Sequence, residues 1–377
     1  SMIDRAEKLS KEIIITDGHI DLPYRLYKDG LINEKKINLN IDSNGNFDIP
    51  KAKTGGLNSP FMSIYIPSDK KEKEAFELSN LLIELVQNII EFNEDFEAAL
   101  SPKDVVHNFN NKKISLPMGM ENGSAIGENI KNLKLFFDKG IRYITLTHAK
   151  NNQICDSSYD KEIRWHGLSE FGKKLIVEMN SIGMMVDVSH VSDDAFFDIM
   201  KITSKPVIAS HSSPRALTPG FERNVSDEMI KLISKNKGVI LVNFGSSFVN
   251  INSNLLFNEI NSEVEKWRLK NKYEISESQV IEYRESLIKD KNPFADITDV
   301  LDAIDHINNL VGDEYIGFGS DFDGLGNTLP TKLKDVSNYP NLIEGLLGRG
   351  YSKNSIEKIC YKNLFRVWDT NLQSRQI

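Results

Sequence analysis

A chain of 377 residues, 40% hydrophobic and 27% charged, has material for one large buried core and is expected to form one α/β domain with insertions. The net charge is −8 and no stretch gathers Lys and Arg on one face, so nucleic acid is excluded as a partner. Two cysteines, Cys155 and Cys360, form neither a disulfide framework nor a CxxC metal pair; they read as reduced thiols, with a single bridge as the alternative. The most apolar stretch, 81–90, is interrupted by Glu84, Gln87 and Asn88 and cannot span a bilayer. The residues after Met2 are too polar for a signal-peptide core. A cytoplasmic location is therefore expected, with a removed leader as the alternative.

Short β-rich runs alternate with amphipathic ones, the pattern of repeated βα units around a parallel sheet. The first run, 13–21, ends in His19 and Asp21, and a period of two points both side chains to one face, where an imidazole and a carboxylate can hold one metal ion. A run at 57–66 precedes a long helical pattern at 74–100, which is long enough to bend or split. The run 114–121 ends in Glu121, before the turn residues Asn122 and Gly123, and a carboxylate there can bridge two cations. A helical pattern at 126–139 leads to the run 141–148, ending in His148. Helical patterns at 170–182, 193–201 and 227–235 then alternate with runs at 184–190, 206–211 and 238–244. The first two of these runs end in His190 and His211, which places them side by side at one rim.

The charged segment 250–293, with Trp267, Tyr273 and Tyr283 spaced through it, reads as a helical insertion. It is either a lid near the site or a solvated helical pair with no catalytic part. The run 315–321 ends in Asp321, and helical patterns at 340–350 and 355–368 close the chain. Eight strands close a (β/α)8 TIM-type barrel, expected as a single domain with its insertion at about 250–295.

Of seven histidines, His19, His148, His190 and His211 fall at strand ends, a clustering that packing alone does not produce, whereas His107, His166 and His306 read as exposed or helix-face residues. Asp21, Glu121 and Asp321 bring three negative charges to one rim, where each would raise the others' pKa unless cations were present. Two divalent ions with a shared hydroxide nearly balance them. Nitrogen and oxygen ligands without thiolate suit two zinc ions per chain, with manganese or cobalt as alternatives.

The motifs DGHID at 17–21, GMENG at 119–123, LTHAKNN at 146–152, GMMVDVSH at 183–190, IASHSSPRAL at 208–217, ERNVSDEM at 222–229 and GFGSDFDG at 317–324 resemble the membrane (renal) dipeptidase family. So do DVSNYPNL at 335–342 and RGYS at 349–352, and the resemblance covers nearly the whole chain. It implies that His19 and Asp21 hold one zinc, that His190 and His211 hold the other, and that Glu121 bridges both. It further implies that His148 stabilises the oxyanion of the tetrahedral intermediate and that Arg223 pairs with the free carboxylate of a dipeptide. The sequence departs from the family's best-known members in lacking a hydrophobic tail for a lipid anchor and in carrying the charged insertion. Phe248 stands where mammalian members have a tyrosine that assists carboxylate binding, so one hydroxyl contact is absent.

The expected function is hydrolysis of dipeptides by two ions and a shared hydroxide, with Asp321 as general base and then general acid. D-residues at the C-terminal position and assembly as a homodimer are compatible with this reading. The alternatives are an amidohydrolase of another small amide, such as an N-acyl amino acid, and a binding barrel without catalysis.

Overall fold

The computed structural model describes residues 1–41 and 43–373. Eight parallel strands run in chain order around a barrel: β1 (Thr16–Ile20), β2 (Ser59–Tyr65), β3 (Met118–Glu121), β4 (Ile141–Thr145), β5 (Met185–Asp187), β6 (Ile208–Ala209), β7 (Val239–Val242) and β8 (Ile316–Phe318). Ile20 bridges Phe322 in parallel, and Asp321 N donates to the His19 carbonyl at 3.0 Å, which brings β8 back against β1. The strands are buried on both faces, as a parallel sheet wrapped by helices requires. This is the (β/α)8 barrel expected from the sequence.

The crossover helices start where a serine can cap them. The Ser169, Ser192 and Ser226 hydroxyls accept from the N–H groups of Gly172, Ala195 and Met229, and open helices Glu170–Ile182, Asp193–Ile202 and Asp227–Lys235. At the N-terminal ends of the strands, Phe61, Tyr143, Met185, Ile208 and Val239 pack with Trp368 of the C-terminal helix Asn363–Gln373. Trp368 lies 5.0 Å from Phe61, and Phe61 lies 5.2 Å from Tyr143. That end is filled with side chains, so the opening lies at the C-terminal ends. Gly119 makes room for Tyr143 inside the barrel: a Cβ there would sit 2.2 Å from the tyrosine ring.

Four differences from the sequence expectations have local causes. The run 114–121 is two strands, because Pro117 lacks an N–H; Ile114–Ser115 pairs with Phe96–Glu97 outside the barrel, and β3 starts after the proline. The pattern at 74–100 ends as a helix at Phe92 (Glu72–Phe92), where Asn93 turns its amide to the carbonyls of Ile37 and Ile89. The pattern at 126–139 is a 3-10 turn, Gly123–Ile126, followed by a helix, Lys131–Asp138. The ladders of β4 to β8 stop before the ends of their runs, so His148, His190, His211 and Asp321 stand on the loops just above the sheet.

The insertion is a pair of helices, Ile251–Lys270 and Ser278–Lys291, with its own small core of Phe257, Ile260, Val264, Val280 and Ile288. Trp267 stacks on Tyr283 at 4.4 Å. Cys155 and Cys360 are both buried and free. Among the described residues, no helix is long and apolar enough to cross a membrane.

Candidate metal centre at the barrel mouth

The backbone places His19 in β1 and Asp21 immediately after it, and their side chains meet with Nε2 to Oδ2 at 3.1 Å. Glu121, the last residue of β3, lies between this pair and the next: Oε1 is 3.4 Å from His19 Nε2, while Oε2 is 3.2 Å from His190 Nε2 and 3.0 Å from His211 Nε2. The two latter nitrogens are 3.1 Å apart. Asp321 Oδ1 lies 3.7 Å from His19 Nε2, and its Oδ2 accepts from Asn243 Nδ2 at 3.1 Å. The six expected side chains therefore converge on one centre.

The donor set fits metal ions. Ligands about 2.0–2.2 Å from a tetrahedral zinc lie roughly 3.3 Å from one another, close to the separations found here. Asp21 Oδ1 is buried without a hydrogen-bond partner. The ion pairs made by Asp21, Glu121 and Asp321 are with histidine rings, so among the described residues no Lys or Arg pairs with them. Burial and the adjacent charges of Asp21 and Glu121 push the Asp321 carboxyl well above the usual range. Burial works against ionisation of Glu121 too, but the facing His19 and hydrogen bonds from the three rings outweigh it and hold that carboxyl well below its ordinary value. Burial pushes His190 and His211 well below theirs, leaving neutral imidazoles suited to a metal.

Two residues of this centre carry backbone strain. His190 (φ 72°) and Asp321 (φ 66°) both occupy the left-handed region, costly for a residue with a side chain and typical of functional sites. Gly324 is required for space, because a Cβ would lie 2.1 Å from Asp21 Oδ2 and 2.6 Å from Asp321 Oδ1.

The centre floors a cavity of about 770 Å³ whose wall includes Tyr24, Tyr65, His148, Tyr159, Phe248 and Leu325. His148 Nδ1 is 3.3 Å from the Tyr65 hydroxyl, and burial lowers its pKa, leaving a neutral ring. Arg223 is buried outside the cavity lining, its guanidinium 5.3 Å from the Phe248 ring that does line it. Its Nη1 donates to Ser212 Oγ at 2.8 Å and its Nη2 to the His211 carbonyl at 2.6 Å, while Nε is buried without a partner. His107 and His166 are exposed and His306 pairs with Asp227, all away from the centre.

Sequence reasoning missed Tyr65, Tyr143, Asp187, Ser210 and Asn243. Asp187 had a signal: an acid inside the apolar run MMVDVSH needs buried donors. It receives the N–H groups of Ser189 and Ser210 at 3.0 and 2.8 Å, and the hydroxyls of Thr145 and Ser210. Tyr143 and Tyr65 had none, because an aromatic in a strand is ordinary core.

A closed barrel with imidazoles and carboxylates gathered at its C-terminal mouth has the layout of a metal-dependent hydrolase. The chain belongs to the membrane dipeptidase family (Peptidase family M19), whose profile matches residues 3–376. It is 32% identical over 362 residues to dipeptidase tcpJ of Claviceps purpurea (strain 20.1), covering 93% of this chain and 75% of that protein. The probable dipeptidase PvdM from Pseudomonas aeruginosa superposes with a TM-score of 0.84 at 25% identity, over 99% of both chains. A metallo peptidase from Rhodobacter sphaeroides, liganded with a phosphinate mimic of the dipeptide L-Ala-D-Ala, shares the fold with a TM-score of 0.77 at 23% identity, over 95% of this chain and 99% of that one.

Proposed function

We propose that this chain hydrolyses dipeptides with a free C-terminal carboxylate, using two zinc-class ions, one held by His19 and Asp21 and one by His190 and His211, with Glu121 shared. The observation that carries the reading is Glu121, whose two oxygens face the two histidine groups from either side. When bound, such ions polarise a scissile carbonyl and acidify water.

The chain's own residues do the rest. Asp321, held by Asn243 Nδ2 with its other oxygen 3.7 Å from His19 Nε2, stands where it can take a proton from the attacking water and pass it to the leaving amine. Neutral His148, whose Nδ1 meets the Tyr65 hydroxyl, would donate to the developing oxyanion from Nε2–H in the tautomer that accepts from Tyr65. Arg223, buried behind Phe248, supplies positive charge for the substrate carboxylate from within the wall, and Phe248 offers an apolar face where a hydroxyl would add a contact.

The test compares zinc-loaded protein on L-Ala-L-Ala, L-Ala-D-Ala, L-Ala-L-Ala amide and N-acetyl-alanine, with and without chelator. Free dipeptides should be cleaved, chelator should abolish cleavage, and the amide should react at least about tenfold more slowly, the worth of one charged hydrogen bond. Preference for N-acetyl-alanine would move the substrate to another amide. A loaded but inert protein would favour the binding barrel.

A further inference from the structure

Three rings present Nε2 to the centre, and what each Nδ1 meets decides whether that Nε2 carries a lone pair or a proton. His211 Nδ1 lies 2.7 Å from Ser210 Oγ, and the same hydroxyl reaches Asp187 Oδ2. Asp187 is an acceptor in all its contacts, with two backbone N–H groups on Oδ1 and the Thr145 and Ser210 hydroxyls on Oδ2. A hydroxyl has one proton. Once Ser210 gives it to Asp187, Ser210 can only accept from His211, which puts the ring proton on Nδ1.

The His19 side reaches the same end with different parts. His19 Nδ1 is 3.1 Å from the Tyr143 hydroxyl, and that hydroxyl donates to the Gly18 carbonyl at 2.8 Å. A carbonyl cannot donate, so Tyr143 must accept from His19 Nδ1. His190 differs: its Nδ1 is buried with no partner.

We infer that Ser210 and Tyr143 are positioning residues that lock His211 and His19 in the Nδ1–H tautomer, one for each proposed ion, while His190 has no such lock. The inference rests on the metal reading above for its purpose, but the proton positions stand on these hydrogen bonds alone. Ligand histidines commonly donate their second nitrogen to a carboxylate, carbonyl or water, and loss of such partners costs about 10–100-fold in metal affinity. Here the acceptors are two hydroxyls, each with its direction set by an acceptor, the ionised Asp187 carboxylate for Ser210 and the Gly18 carbonyl for Tyr143.

The experiment uses Ser210→Ala and Tyr143→Phe, the latter keeping the ring that fills the barrel. Nitrogen-15 NMR of histidine-labelled, metal-free wild-type protein, at a pH high enough to leave both rings neutral, should show Nδ1–H at His211 and His19. Each variant should lose that signature at its own histidine and leave the other unchanged. Zinc competition against a chelator should show one ion weakened about 10–100-fold in each variant and the other retained. Wild-type zinc affinity and unchanged signals in both variants would overturn the lock while leaving the metal reading intact. A wild-type protein that takes up no zinc would end the metal reading; the Nδ1–H signals would then decide the lock by themselves.

Discussion

At the barrel mouth, His19, Glu121 and His211 are 0%, 3% and 1% exposed, whereas Leu255, Leu269 and Ile281 in the insertion helices are 58%, 60% and 54% exposed. The mouth buries polar groups and fixes them to the backbone of a closed sheet; the insertion leaves apolar groups in water around a small core of its own. None of the cavity-lining residues comes from 250–293. The helices reach the cavity wall through a hydrogen bond from Asn327 Nδ2 to Glu285 Oε2 at 2.8 Å. Burial and hydrogen bonding mark where precise placement matters, and in this structure the insertion helices leave the cavity lining to other segments.

Two substitutions press on this contrast. Asp321→Asn keeps the shape of the mouth but removes the proposed proton carrier, so kcat should fall by about 10²–10⁴-fold with zinc content unchanged in metal analysis. A smaller loss would move the general base to another group. Glu285→Ala removes one link from the insertion to the cavity wall and should change kcat/KM by no more than about twofold, as surface substitutions do. A tenfold change would make the insertion a working part of the site.

Much of the mouth was legible because strand geometry is simple. His19 and Asp21 share a face by the period of two, and His190, His211 and Asp321 terminate β-rich runs. The runs overestimated the ladders: β5 ends at Asp187, three residues before His190, whose φ of 72° carries the chain out of the sheet. Neighbouring residues cannot reveal such a turn when it is set by packing at the rim. Arg223 was named only through the family resemblance, and its burial behind Phe248 follows from contacts between separate loops. The end of the helix at Phe92 was illegible for a similar reason, since Asn93 is fixed by the distant Ile37 carbonyl and Phe96 packs 6.1 Å from Phe47. Pro117 carried a signal for the break before β3, but the expectation of one strand over 114–121 runs across it. Tyr143 looked like core and is core, yet its hydroxyl serves His19 from inside the barrel.

The most direct test is an anomalous difference map from a crystal of zinc-loaded protein, recorded at the zinc edge. The account predicts two peaks of comparable height, one about 2 Å from His19 Nε2 and an Asp21 oxygen, the other about 2 Å from His190 and His211, with a Glu121 oxygen on each. A single peak, or zinc bound away from these side chains, would contradict it.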